Sequence, residues 1–241
     1  MPWEQLGKYS KQSRSLLNSL VTVLPLLILY QLGILLICWE SVNGVDFLTI
    51  VAVKTAGVRG LIILNFVLLI FFLIGVIYLR RKNTFEADFI LPMLVESAIY
   101  AIGMGVLIVL ALKYTLPMAH LAGEVSNIHA HGPVIKILAS IGAGVNEELV
   151  FRLGLMSFII WFCVRMFKLK RFTGILIAVL VSSALFSLAH YFIGSERMGL
   201  YSLFYRFFAG IIFGLIFKFR GFAIAVYTHT IYDLFVLFAS G

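Results

Sequence analysis

Asn146-Glu147-Glu148-Leu149-Val150-Phe151-Arg152 lies in the middle of a long apolar run, 137–167. An ionisable group inside a membrane span costs about 2.5–3.5 kcal/mol on insertion scales, so such groups face other helices or a wet cavity, not lipid. Two adjacent carboxylates are harder still to accommodate in a low dielectric. Arg152 follows Glu148 by one helical turn, which places the two on one face as partners. Glu147 then points about 100° away and is available for chemistry, as a general base would be. From this cluster alone, a structural ion pair that tethers helices explains the residues equally well.

The rest of the chain agrees with a lipid setting. Of 241 residues, 62% are hydrophobic and 12% charged, with mean hydropathy +1.06. Soluble domains carry about 45–50% apolar and about 25% charged residues. Disordered, coiled-coil and disulfide-scaffold classes are excluded by composition, and a soluble globule of this size could not bury so much apolar surface. The fold class expected is all-α, a polytopic transmembrane helical bundle of about seven spans. The spans are 20–39, 61–79, 89–112, 137–167, 174–192, 200–217 and 222–240, with a short eighth element at 47–53 read as interfacial. The fourth is too long for one straight crossing. It must tilt, extend into water, or break near the glycines of Ser140-Ile141-Gly142-Ala143-Gly144.

Lys and Arg number 19 against 11 Asp and Glu, a net charge of +8. The cations cluster between apolar runs: Lys8, Lys11 and Arg14; Arg80, Arg81 and Lys82; Lys168, Lys170 and Arg171; Lys218 and Arg220. Basic loops stay cytoplasmic, so all four clusters share one side if the N-terminus is cytoplasmic, and the loops around Asp46, Glu124 and Glu196 lie outside. The charge therefore reports topology and not nucleic-acid binding. Residues 1–19 form a polar segment suited to the membrane surface. The first span reads as an uncleaved anchor. Cys38 and Cys163 lie in apolar runs and read as core thiols. The chain is expected to form a single membrane domain over 1–241, in a prokaryotic cytoplasmic membrane.

Two further clusters put polar groups where lipid would be. Phe186-Ser187-Leu188-Ala189-His190 ends the fifth span, and a lone histidine there is as readily a hydrogen-bonded packing residue. His229-Thr230-Ile231-Tyr232-Asp233 lies in the seventh, with imidazole and carboxylate one turn apart. Asp233 either fixes the tautomer of His229 or faces a third group together with it. Three helices that each offer polar groups inward can enclose one wet pocket, and the chemistry natural to Glu and His around water is hydrolysis.

Glu147-Glu148 with Arg152, then Phe186 with His190, then His229 with Asp233 resemble the ordered motifs of the CPBP family of intramembrane proteases, which includes the type II CAAX prenyl endopeptidase and the bacterial Abi and bacteriocin-processing proteins. The resemblance covers about 139–235, a protease core, and extends to the glycine-bearing stretch Phe208-Ala209-Gly210-Ile211-Ile212-Phe213-Gly214. It implies an endopeptidase that cleaves a membrane-associated or lipid-modified peptide or protein. Glu147 would activate water with help from His190. His229 and Asp233 would stabilise the oxyanion or help bind a metal. Arg152 and Phe186 would orient these groups. A divalent metal such as zinc on Glu147, His190 and His229 stays open beside a metal-free mechanism, although the H-E-x-x-H spacing is absent. Where the family also accepts Asn, this chain has Asp233, and an ionised carboxylate repels an oxyanion.

The rival is a non-catalytic membrane protein, an ion or proton path or a scaffold or immunity protein, that uses the same polar residues. Inverted-repeat symmetry, which would favour a transporter, is not found. His120, Glu124, His129 and His131 read as solvated loop residues. Glu96 and Arg206 are span charges without an obvious partner. Lys136 is read as snorkelling, and Tyr191, Tyr205 and Tyr227 as belt or gating residues.

Overall fold

The computed structural model describes residues 3–36, 47–115, 132–192 and 199–239. Cys38, Asp46, His120, Glu124, His129, His131 and Glu196 lie outside the described residues. Among the described residues every regular element is helical. In hydrocarbon a chain must satisfy its backbone polar groups within itself, which apolar runs of this length do by winding into helices.

A short α1 (Trp3–Ser13) leads into α2 (Leu16–Leu36) and α3 (Phe47–Arg80). A 3₁₀ turn, Ala87–Phe89, opens α4 (Ile90–Thr115). The later helices are α5 (Pro133–Gly142), α6 (Ser157–Arg165), α7 (Arg171–Phe192), α8 (Leu200–Arg220) and α9 (Phe222–Ala239). Among the described residues five stretches are long and apolar enough to cross a membrane: Leu16–Leu36, Leu48–Arg80, Ala87–Thr115, Arg171–Phe192 and Leu200–Arg220. The protein is therefore an integral membrane helical bundle. The apolar part of α9, Phe222–Phe238, is shorter than these.

The long run 137–167 does not break at its glycines. Between α5 and α6 the backbone keeps right-handed helical angles at Gly142, Glu148 and Met156 while it widens into π-helical turns over Ala143–Glu147 and Leu149–Met156. Pi turns are rare and concentrate at functional sites. The stretch 47–53 falls in a short helix of its own. It begins α3, and a kink at Ala56 and Gly57 (φ 59°) separates it from the rest of that helix. Its Thr49 is buried and hydrogen-bonds the Tyr30 hydroxyl at 3.0 Å.

Although shorter than the five long spans, α9 is the central helix. It packs against α2, α4, α5 and α8, and its first five residues, Phe222–Val226, are at most 2% exposed. Two glycines allow this. Gly221 turns the chain from α8 into α9 at φ 104°, where a Cβ would meet Arg14 Cα at 3.0 Å. A Cβ on Gly144 would meet the Val226 carbonyl oxygen at 3.0 Å, so the π-helical segment and α9 touch backbone to backbone.

The end of the bundle that holds the N-terminal residues is clasped by charge. Glu96 of α4 takes both the Tyr9 hydroxyl of α1 and the Arg220 guanidinium of α8, with Arg220 Nη2 at 2.8 Å from Oε2. Lys8 and Gln12 of α1 both reach Glu86, at 2.6 and 2.8 Å. Glu96, read from sequence as lacking an obvious partner, is thus a structural anchor away from the motif residues. At the opposite end Lys136 does not snorkel. It is 8% exposed and donates to the Leu237 carbonyl at 2.9 Å, where a cation suits the closing turn of α9.

Candidate active site

The three motifs meet at the Glu147 carboxylate. The π-helical segment brings Glu147 (5% exposed), α7 brings His190 and α9 brings His229 (4% exposed). His190 Nε2 stands 3.7 Å from Glu147 Oε1, and His229 Nε2 stands 3.8 Å from Glu147 Oε2. Both separations exceed a direct hydrogen bond and are the kind a water molecule spans. Depth along the helices alone sets His190 nearer one end of the bundle than His229. The ring of His190 closes part of that gap by folding back along α7, with Nδ1 at 2.9 Å from the Phe186 carbonyl of the preceding turn. A carbonyl only accepts, so Nδ1 carries the proton and Nε2 of a neutral ring points its lone pair at Glu147.

Glu148 is turned the other way, and its Oε1 is held from two sides. Its Oε1 lies 3.2 Å from Arg152 Nη1, with both side chains wholly buried, and 2.9 Å from His229 Nδ1. Arg152 also donates from Nη2 to the Gly210 carbonyl at 3.3 Å. Its guanidinium lies over the Phe186 ring at 4.5 Å and near the Phe213 ring at 5.4 Å. Low dielectric and planar aromatic neighbours suit a guanidinium better than an ammonium.

Asp233 approaches the other nitrogen of His229, with Oδ2 at 3.5 Å from Nε2. Nδ1 of His229 is therefore held by Glu148 from a different helix, and Asp233 shares the Nε2 side with Glu147. Sequence reasoning missed Phe213, whose ring stacks on His229 at 4.3 Å with 19° between planes. It lies in the glycine-bearing stretch of α8, but an apolar residue on an apolar helix carries no signal of what it stacks on. Phe186 packs edge-on against both His190 and His229, at 5.0 and 6.1 Å. Tyr191 pairs with Ser202 at 2.6 Å, Arg206 lies over the Tyr191 ring at 5.8 Å, and Tyr205 pairs with Tyr232. Tyr227 donates to the Thr22 carbonyl, on the side of α9 that faces α2.

Several polar atoms here are buried without a protein partner: both side-chain atoms of Asn146, Oε2 of Glu148 and Oγ1 of Thr230. Buried polar groups are normally satisfied, by ordered water where protein does not reach them. The donors a metal would use, Glu147, His190 and His229, do face one another. Among the described residues, however, no group of three or more His, Cys, Asp and Glu side chains is arranged to hold a metal ion. What the residues themselves supply is a carboxylate between two imidazole nitrogens, each ring fixed by a partner at its far nitrogen.

Residues 130–235 match the model of the Rce1-like family, described as type II CAAX prenyl endopeptidase Rce1-like. No curated protein and no solved structure matches the chain. The match begins just before α5 and ends two residues past Asp233, and so contains every motif residue. Over residues 130–235, a little under half of its length, the chain is thus similar to the Rce1-like family.

Proposed function

We propose that the protein hydrolyses a peptide bond in a membrane-associated peptide or protein with water activated by Glu147. One observation carries this reading: the Glu147 carboxylate stands between His190 Nε2 at 3.7 Å and His229 Nε2 at 3.8 Å, so that a water molecule placed beside the three groups reaches all of them. The unpartnered polar atoms of Asn146 and Thr230 support a hydrated pocket.

In the proposed reaction Glu147 takes one proton from the water, and His190 Nε2 accepts the hydrogen bond of the other. The resulting hydroxide adds to the scissile carbonyl carbon. His229, with Glu148 at Nδ1 and Asp233 beside Nε2, donates from Nε2 to the oxyanion in its protonated form. Glu147 then returns its proton to the leaving nitrogen as the C–N bond breaks, which restores the starting state. The resemblance keeps a divalent metal such as zinc open at Glu147, His190 and His229.

The test uses the purified protein in liposomes with two probes, a farnesylated peptide ending in a CAAX sequence and a mixture of lipid-anchored peptides, with new termini read by mass spectrometry. Wild type is expected to cleave at least one probe. Glu147→Gln and His190→Ala are expected to lose cleavage by 10²-fold or more, the scale of a general base, while helix content stays unchanged. Retained turnover in Glu147→Gln refutes the assigned base.

A further inference from the structure

We infer that the cavity between α2, α6 and α8, at the basic end of the bundle, binds the phosphate group of an anionic phospholipid. None of the Glu147–His190–His229 cluster lines this cavity, and its occupation does not depend on the proposed hydrolysis. Three features mark it: two cations with no acid beside them, a buried hydroxyl without a partner, and an apolar wall that leads out toward lipid.

The cavity has a volume of about 390 Å³, within the range of ligand sites. Arg14 reaches it from the α1–α2 link, Ser19 from the first turn of α2, Trp161 from α6, and Lys218 from the last turn of α8. Arg14 and Lys218 stand at helix ends, which sets the cavity at the level of lipid headgroups. Gly221 lets the α1–α2 link come this close, since a Cβ there would meet Arg14 Cα at 3.0 Å. No acid is among the described residues that line the cavity. Glu86 and Glu96, two acids at this end, are held by Lys8 and Arg220. Arg14 donates from Nε to the Ser10 carbonyl at 2.8 Å, which neutralises none of its charge. Arg171, which opens α7, adds its charge to that of Lys218. A cleft lined by one sign of charge concentrates the opposite one.

Ser19 is wholly buried, and its hydroxyl has no partner among the described residues. Buried hydroxyls are normally bonded. Ser157, the other hydroxyl on the wall, already donates to the Arg152 carbonyl at 3.3 Å, so Ser19 is the one with a proton to give. Two cations and a hydroxyl donor suit a phosphate, whose charged oxygens accept. The rest of the wall is apolar, with Leu153, Ile160, Phe217 and Phe222, and Trp161 beside them is 53% exposed. A free phosphate gains nothing from such a wall, whereas the upper acyl carbons of a phospholipid are buried against it. A choline headgroup would bring a cation that Arg14 and Lys218 repel, so the occupant is anionic. Basic pockets between transmembrane helices hold headgroups of this kind. Bound here, the lipid ties α2 and α8 to α6.

The test is native mass spectrometry of the full chain, purified in an uncharged detergent, with phosphatidylglycerol and phosphatidylcholine added in equal amounts. Wild type is expected to retain phosphatidylglycerol over phosphatidylcholine by at least about fivefold, the scale of one cation acting on an anionic lipid. Arg14→Gln with Lys218→Gln is expected to lose that preference, and Ser19→Ala to weaken it at least twofold. Lys11→Gln with Arg81→Gln removes the same charge from exposed positions that do not line the cavity, and is expected to bind as wild type does. No preference in wild type, or an equal loss in both double variants, overturns the site. Displacement of the lipid by millimolar inorganic phosphate overturns the phospholipid as occupant. Circular dichroism checks that each variant keeps its helix content. If Arg14→Gln with Lys218→Gln does not fold, Lys218→Gln alone, at a half-buried position, carries the test. A twofold loss of preference is then expected, and no loss overturns the site. None of these readouts needs turnover, so a failed cleavage assay and an empty lipid site are told apart.

Discussion

Arg152→Met is expected to cost about 3–5 kcal/mol of bundle stability, the range for removing one partner of a buried ion pair. Arg152 and Glu148 have no exposed side-chain surface, and the pair is 3.2 Å long. Methionine keeps the apolar contact with Phe186 and Phe213 but leaves the Glu148 carboxylate in oil with only His229 to balance it, and it frees the Gly210 carbonyl. The lost hydrogen bond and the ring contacts overlap with the pair and do not add to it in full, which keeps the total near the top of that range. Arg152→Met with Glu148→Gln is expected to recover at least about 1 kcal/mol, because the uncompensated charge is gone while the amide oxygen still accepts from His229 Nδ1. Reversible unfolding by sodium dodecyl sulfate in mixed micelles, followed by circular dichroism, measures both variants. A loss under about 1 kcal/mol for Arg152→Met, or no recovery in the double variant, refutes the account of Arg152 as the counter-charge of Glu148.

Three other substitutions separate the parts of the molecule. Asp233→Asn is expected to keep part of the cleavage activity in liposomes, since an amide can donate to an oxyanion, and complete loss together with release of a bound metal would favour metal chemistry. Glu96→Gln breaks the clasp of Tyr9 and Arg220 and is expected to lower the unfolding midpoint by an amount worth about 1–3 kcal/mol while the rate of the folded enzyme changes less than twofold. Gly144→Val places branched carbon against the Val226 carbonyl and Thr230, and is expected to abolish cleavage by pushing α9 from the π-helical segment, with Gly144→Ala intermediate.

What was legible in the sequence followed from local spacing and from composition. The cost of charge in lipid marked Glu147, Glu148, Arg152, His190, His229 and Asp233, and the i, i+4 spacing put Glu148 beside Arg152 and Asp233 beside His229, as the distances have it. Spacing within one helix says nothing of which imidazole nitrogen meets which acid. That choice is made by Glu148 from 81 residues away. Glu96 and Arg220 are 124 residues apart, so neither carries a local mark of its partner. The winding after Gly142 was equally hidden, since a π turn and a break by glycine follow from the same small residues. Lys136 reads as a snorkelling side chain only while the end of α9 is not known to lie against it.

The two glutamates show how neighbouring residues of one kind come to differ. Glu148 meets a cation on one side and a ring nitrogen on the other, and so acts on structure: its hold on Nδ1 turns Nε2 of His229 toward Glu147 and Asp233. Glu147, one position earlier, meets two ring nitrogens beyond direct hydrogen-bond reach. Environment alone thus ties one carboxyl to orientation and sets the other between two imidazole rings. The order of dependence runs from the Gly210 carbonyl through Arg152 and Glu148 to His229. The oily wall of Phe186 and Phe213 belongs to the same assembly, because it presses on the guanidinium and the imidazole at once. An intramembrane site of this kind needs apolar residues as much as polar ones. Without them water would screen the Arg152–Glu148 pair, and the His229 ring would lose the stacking of Phe213.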